Sequence, residues 1–284
     1  LLKQQMTTSP SSSPSIQNVL VCCDAFKGTI DGRAVGESIV RGFPANSISY
    51  VNIPVTDGGS GFLDAMMGII PSLVRKTVPV VGPRGTGVDA AFAVHPQKEF
   101  CVVEMARASG LPLIPSNMQD PRFTTSFGTG QLLREAARTG AHRIYLGLGG
   151  SSTNDLGIPA LQAMGIVRAR IGDTWYDHKG PPLTGGLLSH VEAFEYHPDA
   201  VKEFPPIILI SDVVNVLLGP QGATEIYGPQ KGATTPQIRQ ELEAGLSRAA
   251  NWIDSVVPGI KISEMKGGGA AGGMGAGFYA LAKA

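Results

Sequence analysis

The stretch IYLGLGGSSTND, Ile144 to Asp155, decides the reading of this chain. An apolar run, Ile144 to Leu148, empties into Gly149 and Gly150, then Ser151, Ser152, Thr153, Asn154 and Asp155. It reads as a buried strand that delivers backbone donors, hydroxyls and one carboxylate to its carboxyl end. In an open parallel sheet ligands bind at that end, and such donors suit a phosphate or a metal-bound phosphate. Three other strand-like runs end in the same manner. NVLVCC ends at Asp24-Ala25-Phe26-Lys27-Gly28, VNIPV at Thr56-Asp57-Gly58-Gly59-Ser60-Gly61, and PIILI at Ser211-Asp212-Val213-Val214-Asn215. Four strand ends, each with an aspartate, predict one crevice.

Strand-like runs alternate with helical ones outward from this stretch, which predicts an α/β fold with a mostly parallel sheet. Asp31 is placed to cap a helix carrying Val35, Ile39 and Val40, and a strand over Ile48–Val55 follows. A short helix is expected near Phe62–Met67. Three β-rich runs, Leu73–Val81, Val88–Val94 and Phe100–Glu104, are expected to form a small antiparallel or mixed patch. Ser126–Arg138 reads as a helix, residues 166–206 as irregular, and Ile207–Ile210 as a strand. Pro236–Val256 carries the longest helical pattern, with Pro236 in its first turn.

The chain has 284 residues, a formal net charge of zero and 43% apolar residues, enough for a sizeable core. No basic field exists to hold nucleic acid. No apolar run reaches the roughly 20 residues of a membrane span. Residues 1–17 are rich in Ser and Pro and read as a disordered lead. The three cysteines, Cys22, Cys23 and Cys101, have neither metal nor disulfide spacing. All three are expected to be buried hydrophobes in a reducing, cytoplasmic setting.

The four aspartates together read as magnesium ligands and a base, although each alone could be a helix cap. Lys27 and Lys231, each beside a glycine, are candidates to reach a phosphate or, equally, to be solvated surface charges. Thr125 and Ser126 open a helix where hydroxyls and amides would suit an anion. Arg107 could clamp a substrate carboxylate or simply pair with Glu104. No GxxxxGK[ST] and no GxSxG occurs. Gly267-x-Gly269-x-x-Gly272 has no convincing strand before it, so its glycines are expected to serve close helix packing or a phosphate turn.

These motifs together resemble the type I glycerate kinases. The matching stretches include DAFKGT (24–29), PVTDGGSG (54–61), EMARASGL (104–111), TTSFGTGQLL (124–133) and LGLGGSSTNDLG (146–157). SDVVNVLLGPQGAT (211–224), YGPQKGAT (227–234) and GGGAAGGMGAG (267–277) follow in the family's order. The resemblance implies phosphorylation of D-glycerate with ATP and magnesium, the 2-position favoured over the 3-position. It implies two α/β domains with Rossmann/flavodoxin-like sheets and an active site in the cleft between them. The first domain would comprise residues 18–80 plus 256–284, and the second residues 81–255.

Asp57, Asp155, Lys27 and Lys231 become the catalytic candidates. Asp24, Gly58, Gly59, Arg107, Thr125, Ser126, Gly149, Gly150, Ser151, Ser152 and Asn154 become candidates for binding substrate or phosphate, and Asp212 and Asp155 for magnesium. Three departures stand out: Ser60 where the family carries Glu, Leu156-Gly157-Ile158-Pro159 where it carries Gly-Gly-Ala-Gly, and the absence of a further C-terminal α/β stretch. The chain is therefore expected to be C-terminally truncated, with an incomplete first domain. The alternatives are a form that binds ligand without turnover and a kinase for a related small hydroxy acid.

Overall fold

A computed structural model describes residues 18–26, 29–43 and 48–284. The chain divides into two compact units, residues 1–55 and 56–284. Lys27 and Gly28, and the lead over residues 1–17, lie outside the described residues.

The first unit pairs β1 (Asn18–Cys23) in parallel with β2 (Ser49–Pro54), joined through α1 (Gly32–Val40). Asp31 caps α1 as expected, its carboxylate accepting from Ala34 N at 2.9 Å. Gly36 lets α1 lie flush on β2, since a Cβ there would sit 2.0 Å from Asn52 Oδ1. One expectation fails here. Cys22 is exposed and Cys23 half-buried, and only Cys101 is buried. Burial along this two-stranded pair alternates, with Val21 covered while Leu20 and Cys22 face outward.

The second unit runs α2 (Phe62–Ile69), β3 (Val74–Val81), β4 (Gly87–Val94), β5 (Cys101–Glu104), α3 (Ala106–Ser109), α4 (Phe127–Arg138) and β6 (Ile144–Gly147). It continues with α5 (Ile158–Ala163), β7 (Val167–Ile171), β8 (Thr174–Tyr176), β9 (Ala193–Tyr196), α6 (Pro198–Val201), β10 (Ile207–Ile210), α7 (Ala223–Tyr227), α8 (Pro236–Val256) and α9 (Met274–Leu281). Its main sheet has the order β10-β6-β5-β4-β3. The pairs β10–β6 and β6–β5 are parallel, whereas β5–β4 and β4–β3 are antiparallel. The expected antiparallel patch is thus one end of the same sheet.

Side chains alternate across it with a period of two. Phe92, Cys101 and Val103 join a large core with Leu132, Ile144, Leu246 and Phe278, while Ala91, Ala93 and Val102 join Phe62, Leu63 and Leu73 on the other face. Burial on both faces explains the near-continuous apolar runs of β5 and β6, whereas β10, at the sheet edge, leaves Ile208 exposed.

The segment read as irregular, 166–206, instead contains an antiparallel sheet of order β8-β7-β9. Its strands hold three to five residues each, too short for periodicity to register. Arg168 joins all three, stacking over Trp175 with 4.3 Å to the ring centroid and pairing with Glu195. The α8 boundaries fall as expected, with Pro236 in the first turn and Thr235 Oγ1 accepting from Ile238 N at 3.3 Å. Among the described residues no helix is long and apolar enough to cross a membrane.

Candidate functional site

The parallel strands β5, β6 and β10 end at one edge of the main sheet, and their loops meet there. Register pairs Glu104 with Gly147 and Gly147 with Ile210, so the three strands finish level. Leu148 N donates to Ile210 O at 3.1 Å, and Gly149 N to Gly58 O at 2.9 Å. The loop over residues 56–61 therefore lies across the ends of β6 and β10. Glycine makes this approach possible. A Cβ on Gly149 would lie 2.3 Å from Gly59 Cα, and one on Gly58 would lie 2.3 Å from Ile210 O. Gly150, at φ +73°, passes Ser60 Oγ just as closely.

Glu104, at the end of β5, fastens the same loop. It is 2% exposed and accepts from Gly61 N at 3.1 Å and Leu63 N at 3.0 Å, where α2 begins. The sequence placed Glu104 only as a possible partner for Arg107. An acid at the last position of a buried strand was the available signal. Arg107 does pair with Glu104, at 3.5 Å, and also with Asp64, which in turn binds Arg75. Burial works against the Arg107 charge, but Glu104 and Asp64 outweigh it, and its pKa is raised. Its side chain stays 32% exposed, so the guanidinium can still meet a ligand.

The loop after β6 is packed from below. Asp155 is fully buried, with Ser126 N donating to one carboxylate oxygen at 2.8 Å and Gly157 N to the other at 3.0 Å. Burial pushes its pKa up to about 6, against the pull of these amides and of Lys231. Lys231 is buried rather than solvated. Its Nζ donates to Ser151 Oγ at 2.9 Å and Thr153 O at 2.7 Å. Burial lowers its pKa to about 8, opposed by Asp155.

Hydroxyls complete the network. Ser152 Oγ donates to Ser109 O at 2.9 Å, Thr124 Oγ1 to Ser152 O at 3.0 Å, and Asn154 Nδ2 to Thr224 Oγ1 at 3.0 Å. Thr125 Oγ1 accepts from Phe127 N, and Ser126 Oγ from Ala160 N. Thr153 Oγ1 and Asn154 Oδ1 are buried without a protein partner.

From the other side, the segment before α9 presses on this loop. Leu156 N donates to Gly272 O at 3.0 Å, and a Cβ on Gly272 would lie 2.1 Å from Thr153 O. Close packing is therefore what the Gly267–Gly272 run provides. Leu156 itself is fully buried at φ +57°, a conformation that side chains resist.

Of the four aspartates, Asp57, Asp155 and Asp212 belong to loops at this one edge. Asp57 is half-buried and accepts from Gly59 N at 2.8 Å. Asp212 is exposed on the loop after β10. Asp24 stands in the first unit, exposed, with Ala25 N donating to it at 2.7 Å. Among the described residues no three His, Cys, Asp or Glu side chains gather into a metal cage. The exposed Asp212 carboxylate fits magnesium in another manner, because that ion keeps waters and is held by one or two carboxylates plus phosphate oxygens. Asp155, the other expected magnesium ligand, is fully buried and accepts one backbone amide on each oxygen.

The glycerate kinase family model matches residues 19–284. A glycerate kinase of Halalkalibacterium halodurans is 35% identical over 94% of this chain and 69% of its own length. The glycerate 2-kinase of Escherichia coli K12 is 35% identical over 93% of this chain and 68% of its own. A crystal structure described as a glycerate kinase 2 from Salmonella typhimurium LT2 superimposes with a TM-score of 0.79 at 33% identity, covering 94% of this chain and 70% of that one. With the match running from β1 through the last helix, and with the glycine and aspartate loops brought to one sheet edge, the chain belongs to the glycerate kinase family.

Proposed function

We propose that this chain transfers the γ-phosphoryl group of ATP to D-glycerate, giving ADP and 2-phosphoglycerate rather than 3-phosphoglycerate, with magnesium. The convergence of the 56–61, 149–155 and 211–215 loops on the ends of parallel strands carries the reading. It supplies carboxylates, packed glycines and hydroxyls at one edge, without a Walker loop. Phosphoryl transfer needs positioning and charge stabilisation more than covalent chemistry, and such an edge offers both. The name of the Escherichia coli relative, a 2-kinase, supports the choice of hydroxyl.

Each candidate takes a part under this reading. Asp57 orients the accepting hydroxyl and takes its proton, since Asp155 is committed to amides on both oxygens. Arg107 meets the glycerate carboxylate with the face that Asp64 and Glu104 leave exposed. Asp212 holds magnesium, which would screen the phosphate charges when bound. Gly58, Gly59, Gly149, Gly150, Ser151, Ser152, Asn154, Thr125 and Ser126 shape the floor of the site.

The test is ADP release by the purified chain with ATP and magnesium, D-glycerate against L-glycerate, followed by phosphorus NMR of the product. D-specific, magnesium-dependent turnover to 2-phosphoglycerate is expected. A folded sample that binds ATP or glycerate by calorimetry without turnover would replace this reading with the binding-only one.

A further inference from the structure

We infer that Lys231 is a positioning residue, whose ammonium holds the Ser151–Thr153 backbone in shape from beneath instead of meeting the transferred phosphate. The inference rests on the kinase reading for its catalytic consequence, and on geometry alone for the role itself.

Lys231 is 2% exposed, and two of its three N–H donors are already used, on Ser151 Oγ and Thr153 O. Both acceptors are remote in sequence, 80 and 78 residues away, so the lysine ties two distant segments together. Its own backbone is pinned. Lys231 N donates to Gly228 O at 3.0 Å, and Gly232, at φ +106°, abuts Gln119 O so closely that a Cβ would sit 2.0 Å from it. Swinging the ammonium towards solvent would strip a buried carbonyl and a buried hydroxyl of their donor, which is costly.

Asp155 works from the other end of the same loop. It gathers the amides of Ser126 and Gly157, so the stretch from Ser151 to Gly157 is stretched between an internal cation and an internal anion. Neither charge needs a ligand to be satisfied. The loop is thereby fixed before ATP or glycerate arrives.

The experiment compares the wild-type chain with Lys231→Met, Lys231→Ala and Ser151→Ala. Amide hydrogen exchange over residues 149–157, without nucleotide, is expected to quicken ~10-fold or more in Lys231→Met and less in Ser151→Ala. The double variant Lys231→Met/Ser151→Ala should be no worse than Lys231→Met alone, because one interaction is removed twice.

In turnover, kcat of Lys231→Met should fall about 100-fold, the cost of a displaced site, with KM for ATP nearly unchanged. Methylammonium should restore both exchange protection and kcat in Lys231→Ala. Tetramethylammonium, without an N–H, should restore neither. Unchanged exchange in a folded Lys231→Met chain, or a loss confined to ATP affinity, would overturn the inference. Should the wild type prove inactive, the exchange and double-variant results still decide the positioning role separately from the kinase reading.

Discussion

Gly149 passes Gly59 backbone to backbone, and Gly149→Ala probes that clearance with one methyl group. Two carbons rest about 3.8 Å apart. The added Cβ would lie 2.3 Å from Gly59 Cα and 3.0 Å from Gly59 N, so the two loops must part by about 1.5 Å. Neither contact is a flexible side-chain end that could turn aside. Overpacking of this kind costs about 1–3 kcal/mol of stability. The displacement falls on Asp57 on one side and on Ser151 to Asp155 on the other, and a misplacement near 1 Å can cost ~100-fold in rate. The expected outcome is a drop in kcat of about that size, read by ADP release, with an unfolding free energy about 2 kcal/mol lower in urea. Gly87→Ala is the control, since nothing lies within 4 Å of its added Cβ. The reasoning is refuted if Gly149→Ala keeps kcat within about threefold and unfolds with the control.

Asp57→Asn should lower kcat by at least ~100-fold while leaving D-glycerate KM within a few-fold, and unchanged turnover would remove Asp57 from the mechanism. Asp212→Asn should raise the magnesium needed for half-maximal rate by ~10-fold or more without changing D-glycerate KM, as a magnesium titration would show. Asp155 and Lys231 are both charged only between about pH 6 and about pH 8, so kcat should be bell-shaped with limbs there. The folded-state pKa of Asp155 lies above its unfolded value, so its contribution to stability is full below about pH 4 and lost as pH rises through about 6. The stability of the wild type relative to Asp155→Asn should therefore fall by about 2 kcal/mol between pH 4 and 7, and a rise would contradict the burial argument. Leu156→Gly relieves a left-handed backbone costing about 1–2 kcal/mol but empties a buried site worth about 2–5, so a net loss near 2 kcal/mol is expected in urea unfolding.

Much of the fold was legible because local chemistry set it. Asp31 caps a helix where a capping residue precedes a helical pattern, and Pro236 marks the first turn of α8. The strands β5 and β6 were legible because they are buried on both faces and so are written as apolar runs. What escaped was long-range or short. The strands of the β8-β7-β9 sheet are held by Arg168 against Trp175 and Glu195, pairings invisible to periodicity. Lys231 looks like any glycine-flanked surface lysine until Ser151 and Thr153 are folded over it. Glu104 reads as a surface partner for Arg107, because the amides it fastens, Gly61 and Leu63, lie more than forty residues upstream.

The contact between Gly272 and the Thr153–Leu156 turn has a bearing on the order in which the molecule is made. More than a hundred residues separate the two, and closing so long a loop is entropically slow. Ribosomes add about 5–20 residues each second, so strand β6 waits several seconds for the segment that locks its loop. During that wait Leu156 has no reason to occupy its left-handed conformation. The core of β5, β6 and α4 can form early, but the site acquires its geometry only after the chain around Met274 arrives. Competence to act then waits on a segment made long after the strands that carry the site.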